Sequence, residues 1–466
     1  MRHRTHLMLA AFALGSTLLP TACGSSEAPA APARFVPSVV PRAPTDATAR
    51  GLLDRRGLIH AHSVYSHDAC DDVPRDPQTD DIDLDCLDDF RRGLCQTGQD
   101  YVMLTDHNES FARSEYPDVL LFDASRGDQL IERAGAPVAN WLACPDAPPV
   151  LVLAGTETKT MPVGLERHVA PTPSERSAVY GSLEPAELAK LHAAGAVVLL
   201  QHTEDWSVDQ LLDLPIDGFE MYNLHANTIS GLAGALSLIG KITQPELLPF
   251  SDLVLLPIVN EDARYLERWG TVLARGAKRV TTMGTDCHRN TFPAELPDGE
   301  RIDSYRRMMI WFSNHLLVTP DSQGGFDDRA LKDALRAGRL YGSFDVLGYP
   351  QGFDFHARTA GGTHEMGAEL VLADAPELVV TAATIAGLTS ADRQPDRTTR
   401  LLRAREGGWD VVAEAALDLT FPVTEPGAYR VELRMRPRHL ARWLSSFSEL
   451  SEGDFVWIYS NAIYVR

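Results

Sequence analysis

The feature that most constrains the fold is a short apolar run ending in two histidines, Leu58-Ile59-His60-Ala61-His62. Alternate side chains of a β-strand point to the same face, so His60 and His62 are predicted to point together at a strand end. Neutral imidazoles in such a pair are typical metal ligands. One such pair is a weak signal, but the same pattern returns along the chain, which makes it a constraint on the whole fold.

Later apolar runs also end in polar residues of metal-binding type. The strands predicted over 101–105, 150–154, 196–200 and 279–283 are followed by Asp106, His107, Glu157, His202, Asp286 and His288. Further candidate ligands are His67, Asp68 and His168. A shorter predicted strand, 217–222, contains Glu220, and His225 follows it. These last two are expected to pack or to support ligands rather than to bind metal themselves.

Helices alternate with these strands. They are predicted over 87–94, 126–134, 182–194, 228–240, 261–275 and 327–339. Such alternation predicts a parallel sheet or barrel, and barrels carry their sites at the C-terminal ends of strands. Beyond residue 348 the pattern changes to short strands separated by turn residues, which predicts an all-β, sandwich-like module over 348–466.

The N-terminus has the pattern of an export signal. Arg2 and Arg4 precede an apolar stretch over 7–19, which is too short to span a bilayer. The following residues resemble a bacterial lipoprotein signal with Cys23 as the lipidated residue, although Pro20 departs from the usual pattern. The alternative is a soluble secreted protein. Residues 24–46, rich in Ala and Pro, are predicted to be a linker, and 47–347 to form the barrel domain.

Export changes how the remaining cysteines are interpreted. Cys287 lies between two candidate ligands and is expected to be a buried free thiol. The other four, Cys70, Cys86, Cys95 and Cys144, allow two disulfides in three connectivities. Cys70–Cys86 and Cys95–Cys144 are the favoured pairs, because the first would staple a charged insertion and the second would join segments leading into successive strands.

The formal net charge of −21 argues against a polynucleotide partner, because the long-range field repels phosphates. It does not exclude a small anion that enters a site whose local charge is set by metals.

Taken in order, these motifs resemble the PHP (polymerase and histidinol phosphatase) family of metal-dependent phosphoesterases. The resemblance covers about residues 55–345: the His-x-His strand followed by Ser-His-Asp, the Asp-His pair, Gly-x-Glu, the later single histidines, and Gly-Thr-Asp-Cys-His. It implies a distorted (β/α)7 TIM-like barrel with two to three divalent ions, Zn²⁺, Mn²⁺ or Fe²⁺.

The resemblance also implies how the ligands are shared. One ion would use His60, His62, Glu157 and Asp286. Glu157 would bridge to a second ion held with His168 and His202. A third would use His107, His288 and either His67 or Asp68.

The chemistry expected of such a site is hydrolysis of a small phosphoester by a metal-bound hydroxide. Asp106 and Arg289 are the candidate catalytic residues besides the ligands, and Lys159 is a further cation that could reach the pocket mouth. Two alternatives remain: a metal-dependent hydrolase acting on a non-phosphate bond, and a non-catalytic metal-binding or adhesive surface lipoprotein. If Cys23 is lipidated, the membrane is a further partner of the protein.

Overall fold

The computed structural model describes residues 35–37, 48, 50–224, 227, 241, 244–259 and 261–466. The predicted signal peptide, most of the linker, the predicted helix over 228–240 and His225 lie outside the described residues.

The described chain up to residue 320 contains the site-bearing strands. They are Leu53–Ala61 (β1), Tyr101–Met103 (β2), Asp106–His107 (β3), Gln129–Arg133 (β4), Ala136–Leu142 (β5), Val150–Glu157 (β6), Met161–Leu165 (β7), Val197–Leu200 (β8), Gly218–Asn223 (β9), Val280–Cys287 (β10) and Ser313–Val318 (β11). The described α-helices are Leu84–Gln96 (α1), Asn108–Phe111 (α2), Pro173–Tyr180 (α3), Pro185–Ala193 (α4), Val208–Asp213 (α5), Ala263–Ala274 (α6), Tyr305–Met309 (α7) and Asp328–Ala337 (α8).

Seven strands close a barrel in the order β1, β2, β6, β7, β8, β9, β10 and back to β1. β7 runs antiparallel to both of its neighbours, and the other pairs are parallel. The predicted (β/α)7 TIM-like barrel is therefore wrong. Only residues 158–160 separate β6 from β7, and a parallel return needs a crossover of about a dozen residues or more, so β7 must fold back beside β6.

The helix predicted over 126–134 is also wrong, because this segment is the first strand of a hairpin. β4 pairs with β5, and Arg133 lies opposite Ala136. The two residues between them, Ala134 and Gly135, both have positive φ, 50° and 77°. This is the conformation of a two-residue type I′ turn, whose twist matches that of the flanking strands.

The C-terminal residues are built from strands and 3₁₀ turns. The strands are Leu340–Ser343 (β12), Pro350–Gln351 (β13), Asp354–Thr359 (β14), Gly362–Glu365 (β15), Glu369–Leu370 (β16), Glu377–Thr381 (β17), Thr384–Ile385 (β18), Asp396–Arg405 (β19), Gly408–Ala415 (β20), Leu419–Pro422 (β21), Gly427–Arg436 (β22), Phe455–Ser460 (β23) and Ile463–Val465 (β24). β14, β15, β17 and β21 form a separate four-stranded sheet.

β13 and β18 form a two-stranded sheet, and the remaining C-terminal strands do not form an independent sandwich. β23 pairs with β12, β12 with β11, and β11 with β1, so one 18-stranded sheet runs from the barrel into the C-terminal residues. At this seam the guanidinium of Arg430 on β22 stacks on the rings of Trp269 of α6 and Trp409 of β20, at 4.3 and 4.2 Å. The sheet thus crosses the boundary predicted at residue 347.

The N-terminal Phe35 packs against this C-terminal region. Its ring is buried, 5.2 Å from the ring of His439. Its backbone N–H donates to Asp392 Oδ1 at 3.3 Å, and its carbonyl accepts from the guanidinium of Arg442. The chain is therefore anchored here before it enters β1.

Both favoured disulfides are confirmed. Cys70–Cys86 links the loop after β1 to α1, and Cys95–Cys144 links the end of α1 to the segment before β6. Cys287 is free and buried, and burial raises the pKa of its thiol to about 12. The disulfides indicate an oxidising, extracellular type of environment. Among the described residues, no helix has the length and apolarity needed to cross a membrane.

Candidate metal centre

The imidazoles of His60 and His62 face the same carboxylates, as the sequence predicted, but a bulge rather than regular strand alternation places them there. His60 has φ 75°, and the pairing of β1 with β10 shifts register between Ile59 and Ala61. His62 lies just beyond the strand. This bulge turns both imidazoles into the end of the barrel, where their Nε2 atoms face the same carboxylates.

Four residues form a cluster that is called the inner set: His60, His62, Glu157 and Asp286. All are buried, and one ligand atom of each lies within 4.8 Å of the others. The Nε2 atoms of His60 and His62 both lie 3.3 Å from Glu157 Oε2, and 3.1 and 3.3 Å from Asp286 Oδ1. Glu157 ends β6 and Asp286 lies near the end of β10, so the ends of three barrel strands, β1, β6 and β10, supply the set.

Asp68, His107 and His288 form the outer set, which His62 joins to the inner one. Asp68 Oδ2 lies 2.9 Å from His107 Nε2 and 3.1 Å from His288 Nε2. The rings of His62 and His288 stack with centroids 3.9 Å apart. Of the two alternatives left open by the sequence, Asp68 lies in this set, whereas His67 is exposed with its ring 5.0 Å from that of His107.

His202 approaches the inner set from β8. Its Nε2 atom lies 3.4 Å from Glu157 Oε1 and 3.4 Å from Asp286 Oδ2. Glu157 therefore has one oxygen facing His60 and His62 and the other facing His202, which is the arrangement a bridging carboxylate requires.

The histidines are oriented by acceptors for their Nδ1 atoms. The pairs are His60 with Glu220 Oε1 at 2.6 Å, His62 with Ser66 Oγ at 3.1 Å, His202 with Glu204 Oε1 at 3.3 Å, and His288 with the carbonyl of Asp286 at 2.9 Å. An imidazole that donates from Nδ1 presents the Nε2 lone pair, which is the form that binds a metal.

The donor chemistry fits a divalent cation. Within the described chain, the buried Nε2 atoms of His60 and His62 make no hydrogen bond of normal geometry, although both face carboxylate oxygens. A cation between these lone pairs and carboxylates would satisfy all of them. Mixed histidine and carboxylate ligands suit Zn²⁺, Mn²⁺ and Fe²⁺.

The charges of the centre support one another. Burial opposes ionisation of Glu157 and Asp286, but the neighbouring histidines, His60 first, hold the pKa of both carboxyls well below their usual range. Burial likewise opposes protonation of His60, but Asp286, Glu220 and Glu157 raise its pKa well above the usual value. For His62, burial and the neighbouring His288 lower the pKa. The carboxylates are thus ionised and ready for a cation.

His168 lies apart from both sets. Its Nε2 atom donates to the carbonyl of Ser114 at 2.8 Å, and its Nδ1 atom lies 3.0 Å from the hydroxyl of Tyr180. The ring also packs edge-on against Phe111 and Tyr116. Both ring nitrogens of His168 are engaged within the protein, so neither offers a lone pair to a metal ion. The structure therefore does not bring His168 together with Glu157 and His202 as the resemblance implied.

The two candidate catalytic residues also have structural partners. Asp106 is buried and accepts the backbone N–H and hydroxyl of Ser63, at 2.6 and 2.9 Å, so it holds the loop that follows His62. Burial raises the pKa of Asp106 to about 7. Arg289 pairs with Asp89 at 3.4 Å, and Lys159 is exposed.

Some supporting residues were not found from the sequence. Ser66 and Glu204 orient histidines; Ser66 opens the Ser-His-Asp motif without having been assigned a role, and Glu204 lies in no recognisable motif. Glu220 was expected to pack or to support a ligand, and it lies 2.6 Å from His60. Gly284 leaves room for that pair, since a Cβ there would lie 1.9 Å from Glu220 Oε1. The sequence signal that could have pointed to this close contact is the glycine that opens Gly-Thr-Asp-Cys-His.

Comparisons of the chain with protein-family models, with curated proteins and with solved structures found no match.

Proposed function

We propose that the protein is an exported, divalent-metal-dependent phosphoesterase that hydrolyses small phosphoesters. The observation that carries the proposal is the junction of the inner and outer sets, where Glu157 and His62 lie between two groups of ligands. Adjacent metal ions supply Lewis acidity and an activated water for attack on phosphorus. The order of the motifs supports a relation to the PHP family, although the mixed barrel departs from the fold expected of it.

The residues of the chain would divide the work as follows. The inner set and His202 would hold one or two ions, and the outer set another. Glu220, Ser66 and Glu204 keep the imidazoles oriented. Asp106 acts at a distance by fixing the loop that carries His62, through Ser63. Arg289 is turned to Asp89, so no phosphate-binding role is assigned to it.

We also propose export with lipidation at Cys23. The two disulfides support passage into an oxidising compartment. Mass spectrometry of the membrane fraction tests the anchor: an acylated N-terminal Cys23 is expected, and a soluble product cleaved nearby would contradict it.

The test of activity is a comparison of esters on metal-reconstituted protein. p-Nitrophenyl phosphate is expected to be hydrolysed, and p-nitrophenyl acetate much more slowly. Asp286→Ala should lose metal and activity together, whereas Asp209→Ala, an exposed aspartate on α5, should keep both. Preferred hydrolysis of the acetate would favour a non-phosphate substrate, and bound metal without turnover would favour a metal-binding surface protein.

A further inference from the structure

The hydroxyl of Ser66 lies where the inner and outer sets meet. The residue is fully buried, and its Oγ atom lies 2.8 Å from Asp68 Oδ1, 3.1 Å from His62 Nδ1 and 3.2 Å from the backbone nitrogen of His107. A hydroxyl has one hydrogen and two lone pairs. Ser66 therefore donates to Asp68 and accepts from His62 and His107, and its hydrogen-bonding capacity is used in full.

This arrangement fixes one ligand in each set. Because Ser66 has already given its hydrogen to Asp68, His62 must carry its proton on Nδ1 and present the Nε2 lone pair to the inner set. With Oδ1 held by Ser66, the other oxygen of Asp68 faces His107 and His288. A single hydroxyl thus sets the tautomer of an inner ligand and the rotation of an outer one.

The outer set depends on Ser66 more than the inner set does. The side chains of Asp68 and His107 are 25% and 27% exposed, whereas those of His60 and Glu157 are 0% and 6% exposed. His60 is held separately by Glu220. Loss of the hydroxyl would remove one partner from His62 but leave His60 supported, whereas the outer set would lose the contact that orients Asp68.

We propose that Ser66 is a positioning residue that sets the affinity of the outer metal position and couples it to the inner one. The inference rests on the proposed metal centre but not on the identity of the ester that is cleaved. Partners that orient metal ligands are worth about 10–100-fold in metal affinity.

Titration of metal-free protein with Co²⁺, followed by its visible absorption, tests this. In Ser66→Ala the weaker binding step should shift by about 10–100-fold while the tighter step shifts much less. The matched control is Ser313→Ala, a fully buried serine that donates to Asp345 at 2.6 Å and touches neither set. Identical titrations of Ser66→Ala and the wild type would overturn the proposal, as would equal weakening of both steps.

A second pair isolates the hydroxyl if Ser66→Ala does not fold. Threonine and valine have the same shape and differ in the hydroxyl. Ser66→Thr should therefore bind Co²⁺ as the wild type does, whereas Ser66→Val should show the weakened second step. Equal titrations of these two variants would overturn the proposal. Wild-type protein that binds Co²⁺ in two steps but cleaves no phosphoester would remove the proposed function and leave the role of Ser66 intact.

Discussion

At the scale of single residues, the absence of a side chain at Gly284 matters as much as any ligand. A Cβ at this position would lie 1.9 Å from Glu220 Oε1 and 3.1 Å from His60 Nδ1. Gly284→Ala should therefore displace the carboxylate that orients His60, with a loss of about 1–3 kcal/mol or more in stability. Because His60 would lose its orientation, metal content should fall as well. Thermal unfolding measures the loss of stability, and elemental analysis measures the metal content.

The control for this substitution is Gly361→Ala. Its Cβ would meet only Thr359 Oγ1, at 3.5 Å, which is ordinary contact. Both properties should stay unchanged there. Normal metal content in Gly284→Ala would show that the contact between Glu220 and His60 does not orient the ligand.

The histidines His168 and His202 should respond differently to removal. His168→Ala breaks hydrogen bonds to Ser114 and Tyr180, so it should cost about 1–3 kcal/mol in stability and leave metal content unchanged. His202→Ala should lower metal content, because its Nε2 atom faces Glu157 and Asp286. Elemental analysis beside thermal melts separates the two, and metal loss in His168→Ala would restore the ligand role expected from the sequence.

The pKa values of the centre predict that metal binding releases protons. Burial opposes protonation of His202, but Glu157, Glu204 and Asp286 raise its pKa to about 11. Since this value lies above the usual 6.5, protonated His202 stabilises the metal-free fold fully below pH ~6.5, and that contribution is lost as the pH rises through about 11. A metal must displace the proton, so affinity should rise with pH.

Calorimetry in two buffers of different ionisation enthalpy counts the released protons. At neutral pH we expect at least one proton per centre, and we expect metal-free protein to lose stability from pH 7 towards pH 10. Binding enthalpies that are independent of the buffer would contradict the protonated state of His202.

At the scale of elements, the hairpin of β4 and β5 offers a simple stability test. Ala134 occupies the first turn position with φ 50°, a conformation that asparagine and glycine adopt more readily than alanine. Ala134→Asn should raise stability by up to about 1 kcal/mol, which would be measured as a higher thermal midpoint. The same substitution at Ala136, in the extended strand β5, should not stabilise the protein.

The elements also show what the sequence reveals and what it hides. Most ligands are predictable because they directly follow apolar strands, and this local pattern survives even though His60 lies in a bulge. The pairing of Glu220 with His60 is not predictable: Glu220 was expected only to pack or to support some ligand, it lies 160 residues from His60 in the chain, and only folding brings them together.

The antiparallel direction of β7 is not predictable from the sequence, for a related reason. Apolar runs identify β2 and β6, but they say nothing about orientation. The short segment that becomes β7 contains a proline and a glycine and does not have the pattern of a strand. Both predicted disulfide pairs form, and each includes one cysteine of α1, Cys86 or Cys95.

At the scale of the whole molecule, charge predicts selection by substrate length. The protein carries −21, and the loop over 71–83, which follows Asp68 of the outer set, is rich in exposed aspartates. Divalent ions would bring positive charge to the site, so compact phosphoesters are expected to enter, while a long polyanion meets repulsion outside. Monoesters and mononucleotides should be cleaved well ahead of DNA or RNA.

Added salt should narrow that preference, because it screens the exposed charges more than the buried site. Hydrolysis rates against ester length, at low and high ionic strength, provide the measurement. Faster cleavage of long polynucleotides at low salt would refute the electrostatic argument.

The docking of Phe35 has a mechanical consequence. Its contacts with Asp392, His439 and Arg442 attach the N-terminal segment to turns and a 3₁₀ helix of the C-terminal region before the chain reaches β1. Tension applied to residues before Phe35 is therefore transmitted first to that region. The strand that carries His60 bears the load only after these contacts have broken, so the candidate metal centre is shielded from forces that act on the N-terminal residues.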